Sequence, residues 1–239
     1  MNTDADADTT PTGPTDAEQV RTVLSRATSL SLTTTGQAYD LIGLHSVNTK
    51  GQVTLHPRPD SRLTQEAADA PLRSLAALLE FTDIAPTPLR DRVRARVTLS
   101  GRLTPAGGGA LRLDAARVSL RTPAGATDVG LDGVALAEPD PLAVEEAAML
   151  THLADSHEEL MADLLGLAGS RLPRGMIRSL PLALDRHGIT LRCEYESGHC
   201  DLQLLFPALA HDATDAGEQI RRLLTAPRSC PHQHHPSHP

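Results

Sequence analysis

The chain has 239 residues, of which 40% are hydrophobic and 22% are charged. This length and composition predict one large or two small folded domains, and they exclude disorder throughout the chain. The formal net charge is −8, and the chain contains two tyrosines, two phenylalanines and no tryptophan. Because base-stacking surfaces need aromatic side chains, we expect no nucleic-acid partner.

Membrane and secretory signals are missing from the sequence. No apolar run approaches the roughly 18 residues of a membrane span, and the first residues are acidic rather than basic and then apolar. Cys193, Cys200 and Cys230 do not form an even disulfide framework. We therefore expect a cytoplasmic protein with no membrane partner.

Residues 16–137 carry the pattern of a small antiparallel barrel. They follow an acidic, Pro- and Thr-rich leader over residues 1–15, which we expect to be disordered. The first three predicted strands are expected to form a meander, and a helix over 62–80, capped by Asp60 or Ser61, is expected to cover the sheet. The other predicted elements are a helix capped by Asp16, strands near 30–32, 39–47 and 52–56, and a hairpin of strands 93–103 and 111–121.

Residues 138–226 predict a compact α+β module after a Pro-rich linker over 138–141. Its predicted elements are a helix over 142–167, strands near 177–184, 189–195 and 199–206, and a helix over 212–224. With Ser197 and Gly198 as the turn, Cys193 would lie opposite Leu202 and only diagonal to Cys200, so we expect free thiols. Residues 227–239 are Pro- and His-rich and are expected to form a mobile tail. The predicted fold class is α+β, an antiparallel split β-barrel with a small C-terminal α+β module.

Three segments of the second half resemble a known module. EEAAMLTHLADSH over 145–157, DRHGITL over 185–191 and LLFP over 204–207 resemble the domain of unknown function that follows flavin-type split barrels in haem-utilisation proteins. In the first half, GQVTL over 51–55 and RARVTLSG over 94–101 are similar to strands of pyridoxamine 5′-phosphate oxidase-like split barrels. The resemblance implies a homodimer with a cofactor groove between its subunits, and relatives that bind or degrade haem, bind flavin, or regulate tetrapyrrole synthesis.

Four arginines at every second position are candidates for holding an anion. If the strand begins early enough, Arg90, Arg92, Arg94 and Arg96 would point from one face. A phosphate or a pair of propionates would neutralise such a row, although a solvated or dimer-facing strand would tolerate it equally. Arg58 and Ser61, just before a helix, could add to an anion pocket.

Two histidines near the linker are candidates for facing a cofactor. On one continuous helix, five residues rotate His152 and His157 by about 140°, so they are not expected to grip one metal together. His157 lies on an apolar stripe and could be a core residue, whereas Asp155 could orient His152 toward a ligand. Where relatives have H-M-N-x-D-H, this chain has HLADSH over 152–157.

The tail combines one thiol with four imidazoles. Such a peptide can bind Zn, Ni or Cu, although it lacks the fixed spacing of a closed zinc finger. The predicted metal ligands are Cys230, His232, His234, His235 and His238.

These features lead to one expected function and two alternatives. The first expectation is a haem-handling protein that holds an anionic planar cofactor in an inter-subunit groove. The alternatives are an FMN-dependent oxidoreductase that uses the same arginines, and a cofactor-free regulatory or interaction module. The sequence leaves open whether the protein is an enzyme.

Overall fold

A computed structural model describes residues 13–169 and 172–225 of the chain. Its first half is a curled antiparallel sheet of eight strands, in the order β2-β1-β5-β6-β7-β4-β3, with β8 paired to β7. The strands are β1 (Ser29–Thr34), β2 (Ala38–Ile42), β3 (His45–Val47), β4 (Val53–Leu55), β5 (Leu75–Ile84), β6 (Val93–Pro105), β7 (Leu111–Thr122) and β8 (Gly125–Val129). This arrangement confirms the predicted split-barrel class.

The barrel core lies between the concave face of this sheet and the first helix. Alternate residues of β1 and β5 are buried, and Phe81 is completely enclosed. Helix α1 (Asp16–Arg26) packs Val20 and Leu24 into the same core. Its N-cap is Thr15 rather than the expected Asp16, because the Thr15 hydroxyl accepts the backbone N–H of Glu18 in a capping box.

Two predictions for the first half are wrong. Helix α2 covers only Arg62–Asp69, and a short 3-10 helix over Pro71–Arg73 separates it from β5. Proline interrupts the helix, and the leucines and alanines beyond it are buried at every second position, which is the period of a strand. The expected meander does not form either, because β2 and β3 lie at opposite ends of the sheet.

The second half packs helices against a three-stranded antiparallel sheet in the order β11-β10-β9. Its elements are β9 (Arg178–Asp185), β10 (Gly188–Tyr195), β11 (Gly198–Leu205), α4 (Glu146–Ser156), α5 (Glu158–Gly166) and α6 (Ala213–Thr225), with α3 (Leu131–Leu136) before the linker. The three predicted strands are confirmed, but the predicted helix over 142–167 is divided into α4 and α5. Among the described residues, no helix is long and apolar enough to cross a membrane.

The hairpin of β10 and β11 corrects the predicted register of the cysteines. Tyr195 pairs with Gly198, so the loop consists of Glu196 and Ser197, and Cys193 lies directly opposite Cys200. The structure has both thiols free. The expected free thiols are therefore confirmed, although the two residues are cross-strand partners rather than diagonal neighbours.

A loop between β5 and β6 joins the two halves. Ala85 and Leu89 from this loop pack against Leu182 of β9 in a small apolar cluster. The hydroxyl of Thr87 donates to the carbonyl of Pro181 at 2.7 Å. The barrel and the second sheet therefore share a packed, hydrogen-bonded interface.

Candidate functional site

The predicted row of arginines is divided by the strand that carries it. Arg90 and Arg92 precede β6, which begins one residue after Arg92. A β-bulge then leaves Arg94 as the extra residue of β6, beside the buried Asp83 of β5. Arg96 follows in regular register. The four guanidiniums therefore do not form one row on one face of the strand.

Each of these arginines already has a partner within the chain. Arg90 and Arg92 donate to backbone carbonyl oxygens at 2.8 Å and 2.7 Å. Arg96 pairs with Glu80 at 3.3 Å, where the two side chains are 46% and 34% exposed. Arg94 is the most buried of the four. Of the set, Arg96 has the weakest attachment and the most freedom to meet a ligand.

Arg94 belongs to a buried group of four charges, which we call the ionic cluster: Arg26, Asp83, Arg94 and Glu146. Arg94 contacts Asp83 at 2.8 Å and Glu146 at 2.6 Å, and Arg26 contacts Asp83 at 2.6 Å and also pairs with Glu146. The side chains of Asp83 and Glu146 are only 6% and 3% exposed. Glu146 also accepts the backbone N–H of Leu184 at 3.1 Å. The ionic cluster therefore ties α1, β5 and β6 of the barrel to α4 and β9 of the second half.

The charges of the ionic cluster balance internally. Burial alone would lower the pKa of Arg94, but the carboxylates of Glu146 and Asp83 outweigh burial and raise that pKa. A cavity of about 140 Å³ adjoins the cluster, and Asp140 and Asp185 add two carboxyl groups to its wall. Burial, aided by Asp140, raises the pKa of Asp185 above its usual value. Since acidic groups outnumber the two guanidiniums here, this cavity does not favour an anionic cofactor.

Arg58 and Ser61 lie at a different cavity. It has a volume of about 320 Å³, and its wall also includes Tyr39, Asp40 and Leu63. The Ser61 hydroxyl caps α2 by accepting a backbone N–H, as predicted. The structure therefore brings Arg58 and Ser61 together but places Arg94 at another cavity.

His152 and His157 meet, contrary to the expectation from a continuous helix. Helix α4 ends at Ser156, and His157 has the non-helical angles φ −134° and ψ 52°. The two Nε2 atoms lie 3.1 Å apart, and the ring centroids lie 4.8 Å apart. His157 is exposed rather than part of the core. Asp155 is also exposed, and it is not among the hydrogen-bond partners of either ring.

The predicted metal ligands of the tail lie outside the described residues, which end at 225. Cys230, His232, His234, His235 and His238 stay predictions. Within residues 13–169 and 172–225, no three His, Cys, Asp or Glu side chains are grouped closely enough to hold a metal ion together.

A third cavity lies where α1, β3, the linker and the β9–β10 turn meet. It has a volume of about 650 Å³, which is within the range of ligand pockets. We call it the His45 cavity. Its polar wall residues include His45, Arg21, Arg186, Glu138 and Asn48. Two guanidiniums face one carboxylate, so the wall carries excess positive charge.

His45 is held as a neutral imidazole. Burial lowers its pKa, and the backbone carbonyl of Ala27 opposes that effect less strongly. Its ring packs edge-on against Phe81 at a centroid distance of 5.4 Å. Its Nδ1 atom is buried and has no hydrogen-bond partner. A neutral imidazole is the form that binds metal ions.

The two arginines of the His45 cavity differ in how much of their donor capacity is used. Arg21 is buried and donates to the carbonyls of Val134, Ala137 and Thr49 at 3.1, 2.8 and 2.7 Å. Arg186, in the turn before β10, has a buried Nε with no hydrogen-bond partner. Arg186 is therefore the cation with unused donor capacity.

Sequence reasoning missed this cavity because its members are far apart in the chain. His45 begins a strand of three residues, and Arg186 lies in the turn between β9 and β10. One signal was available, since Arg21 lies between Val20 and Val23 on the buried side of α1. A charged residue among buried apolar ones needs partners for its donors.

Comparison with known proteins supports the fold. No family model matches the chain, and no curated protein matches it. A "heme binding protein" from Mycobacterium smegmatis has a similar structure, with 20% sequence identity and a TM-score of 0.56 over 90% of this chain and 99% of that one. A protein of unknown function from Agrobacterium tumefaciens aligns over 89% of this chain and 97% of its own, with 16% identity and a TM-score of 0.36.

Proposed function

We propose that this protein binds haem, and that the His45 cavity is the binding site. The observation that carries this proposal is a cavity of about 650 Å³ whose wall combines a neutral imidazole with an arginine whose Nε has no partner. The structural similarity to a "heme binding protein" over 90% of the chain supports the same ligand class.

The residues of the cavity fit the chemistry of haem. His45 would ligate iron through Nδ1, which is buried, so its ring would have to turn toward the cavity. Arg186 is the cation that would meet a propionate. Arg21 already donates to three carbonyl groups, so its role would be to hold the wall in place. Bound haem would supply redox chemistry at iron, while the protein would set its ligation and access.

A groove between two subunits is the alternative location for the same ligand. We infer a homodimer, and in that arrangement Arg58, Ser61 and Arg96 would be available on the barrel surface. Light scattering of the haem-free and haem-loaded chain measures whether haem changes the oligomeric state. Loss of haem binding in Arg58→Met or Arg96→Met, with binding retained in His45→Phe, would favour the inter-subunit groove, and the reverse pattern would favour the His45 cavity.

Absorption spectroscopy of the untagged full-length chain tests the function. Titration with haemin is expected to give a Soret band that saturates at one haem per chain. Titration with FMN in parallel tests the flavin alternative through its visible absorption and fluorescence. Uptake of neither cofactor would refute haem binding and leave the interaction module.

Matched histidine variants test the site. His45→Phe keeps a ring for packing against Phe81 but removes the nitrogen ligands, so it is expected to abolish the saturable Soret band. His56→Phe is the control, because His56 lies on the neighbouring part of the β3–β4 hairpin, where its ring contacts Ser46 at 2.9 Å. Circular dichroism confirms that both variants fold. Saturation by haem that survives His45→Phe would refute the His45 assignment.

A further inference from the structure

A break in the helical backbone brings two exposed imidazoles together on the second half of the chain. Helix α4 ends at Ser156, and the backbone N–H of His157 closes the helix by donating to the carbonyl of Leu153 at 3.2 Å. The carbonyl of His157 then accepts the N–H of Met161 as α5 begins. Because both backbone groups of His157 are engaged, the break is fixed, and it turns the ring of His157 toward His152.

The two rings are not arranged as in an in-line hydrogen bond. The Nε2 atom of an imidazole lies about 1.15 Å from the ring centroid. If both ring axes lay along the line between the two nitrogens, a contact of 3.1 Å would place the centroids about 5.4 Å apart. The centroids are in fact 4.8 Å apart, and the ring planes are at 89°. At least one ring axis is therefore inclined to the line that joins the two nitrogens.

A metal ion bound by both nitrogens would satisfy both distances. With metal–nitrogen bonds of about 2.05 Å, nitrogens 3.1 Å apart correspond to an angle of roughly 100° at the metal. The same construction places the centroids about 4.8 Å apart, which equals the separation in the structure. We propose that His152 and His157 together chelate a divalent transition-metal ion of the Zn, Cu or Ni class through their Nε2 atoms.

The distance between the two imidazoles does not suit joint binding of one haem iron. Two nitrogens on opposite sides of one metal ion would be separated by two metal–nitrogen bond lengths, or about 4.1 Å. At 3.1 Å, the nitrogens of His152 and His157 instead suit adjacent positions on a free ion. Imidazole ligands favour transition metals, whereas Ca²⁺ and Mg²⁺ prefer oxygen.

The proposed ion would keep open coordination positions. No third His, Cys, Asp or Glu among the described residues joins the pair in a metal-binding group. Since both histidines are exposed, water would complete the coordination. The site is therefore of the open type, with two protein ligands.

Metal titration of a tail-substituted full-length chain tests the proposal. In this chain Cys230 is replaced by Ser, and His232, His234, His235 and His238 are replaced by Ala, because those five residues are themselves predicted metal ligands. Isothermal titration with Zn²⁺ is expected to show one ion per chain. His152→Ala and His157→Ala are each expected to weaken binding at least about tenfold, and the double variant little further, because the chelate is already lost when one ligand is removed.

A control and a second readout separate metal binding from a change in folding. His211→Ala removes an exposed histidine outside the pair and is expected to leave Zn²⁺ affinity unchanged. Electron paramagnetic resonance of the Cu²⁺-loaded chain is expected to show coupling to two imidazole nitrogens, which falls to one in either single variant. Zn²⁺ binding that is absent from the tail-substituted chain, or is unaffected by His152→Ala, would overturn the proposal. Haem binding is measured separately, so either proposal can fail without the other.

Discussion

Neutralising Glu146 is expected to destabilise the whole molecule. In Glu146→Gln the shape of the side chain is kept, but Arg26 and Arg94 are left with a single buried carboxylate, Asp83. In either orientation the new amide would turn its NH2 donor toward a guanidinium, and in one of them also toward the backbone N–H of Leu184. Removing one partner of a buried ion pair costs about 3–5 kcal/mol. Because the Arg26 side chain is 21% exposed, water relieves part of the excess charge, and we expect about 3 kcal/mol.

Urea denaturation followed by far-ultraviolet circular dichroism measures this change, since the chain has no tryptophan for fluorescence. Glu80→Gln is the matched control, because Glu80 pairs with Arg96 at 3.3 Å on the surface and is expected to contribute less than about 1 kcal/mol. Because the ionic cluster joins the two halves, Glu146→Gln is also expected to broaden the transition. Equal losses of stability in Glu146→Gln and Glu80→Gln would refute the reasoning.

A double variant separates charge imbalance from the loss of contacts. In Arg94→Met/Glu146→Leu, Arg26 and Asp83 remain as one balanced pair, 2.6 Å apart. Well-packed apolar replacements of a buried ion pair are often neutral or stabilising. We therefore expect the double variant to be more stable than Glu146→Gln. A double variant that is less stable than Glu146→Gln would show that packing, and not charge, dominates the loss.

Three further predictions concern pH, packing and thiol reactivity. Burial raises the pKa of Asp185, so the charged carboxylate destabilises the folded state above that pKa. This loss of stability disappears as the pH falls through the raised pKa. Asp185→Asn should therefore raise Tm relative to the parent at pH 7, with a smaller gain at pH 4. Gly101→Ala would drive a Cβ into the backbone of β7 and should lower the free energy of unfolding by about 1–3 kcal/mol. Gly36→Ala is the control, because its Cβ would meet only a side-chain atom 3.9 Å away. It should change the free energy of unfolding by less than about 0.5 kcal/mol. Burial raises the pKa of the Cys193 thiol, so with the tail thiol replaced, maleimide should modify the half-buried Cys200 before Cys193; equal rates would contradict this expectation.

The strands of the second half could be predicted because their signal is local. Apolar and polar residues alternate from Ile189 to Tyr195, and short polar turns bound the strand. β5 was mistaken for a helix because Leu75, Leu78 and Leu79 also fit a helical stripe. The buried series in fact advances by two residues and continues to Phe81.

The functional groups were harder to predict because their positions depend on breaks in regular structure. The bulge that directs Arg94 to Asp83 and the helix break at His157 involve neither Gly nor Pro. Both the arginine row and the separation of the two histidines assumed unbroken strands and helices. His45 was missed for a different reason, since it meets Arg186 only through the packing of the two halves.

The ionic cluster also limits where an anionic ligand can bind. A carboxylate that reached Arg94 would compete with Glu146, which also holds the backbone of β9, so binding there would break one of the contacts between the two halves. We therefore expect an anionic ligand to bind guanidiniums outside the ionic cluster. Substitution of different arginines should then change the free energy of unfolding and the affinity for haem. Arg186→Met is expected to weaken haem binding with little change in unfolding free energy, whereas Arg94→Met/Glu146→Leu should retain haem affinity. Paired haemin titrations and urea denaturations measure both quantities, and a loss of haem affinity confined to the Arg94 variant would place the ligand at the ionic cluster instead.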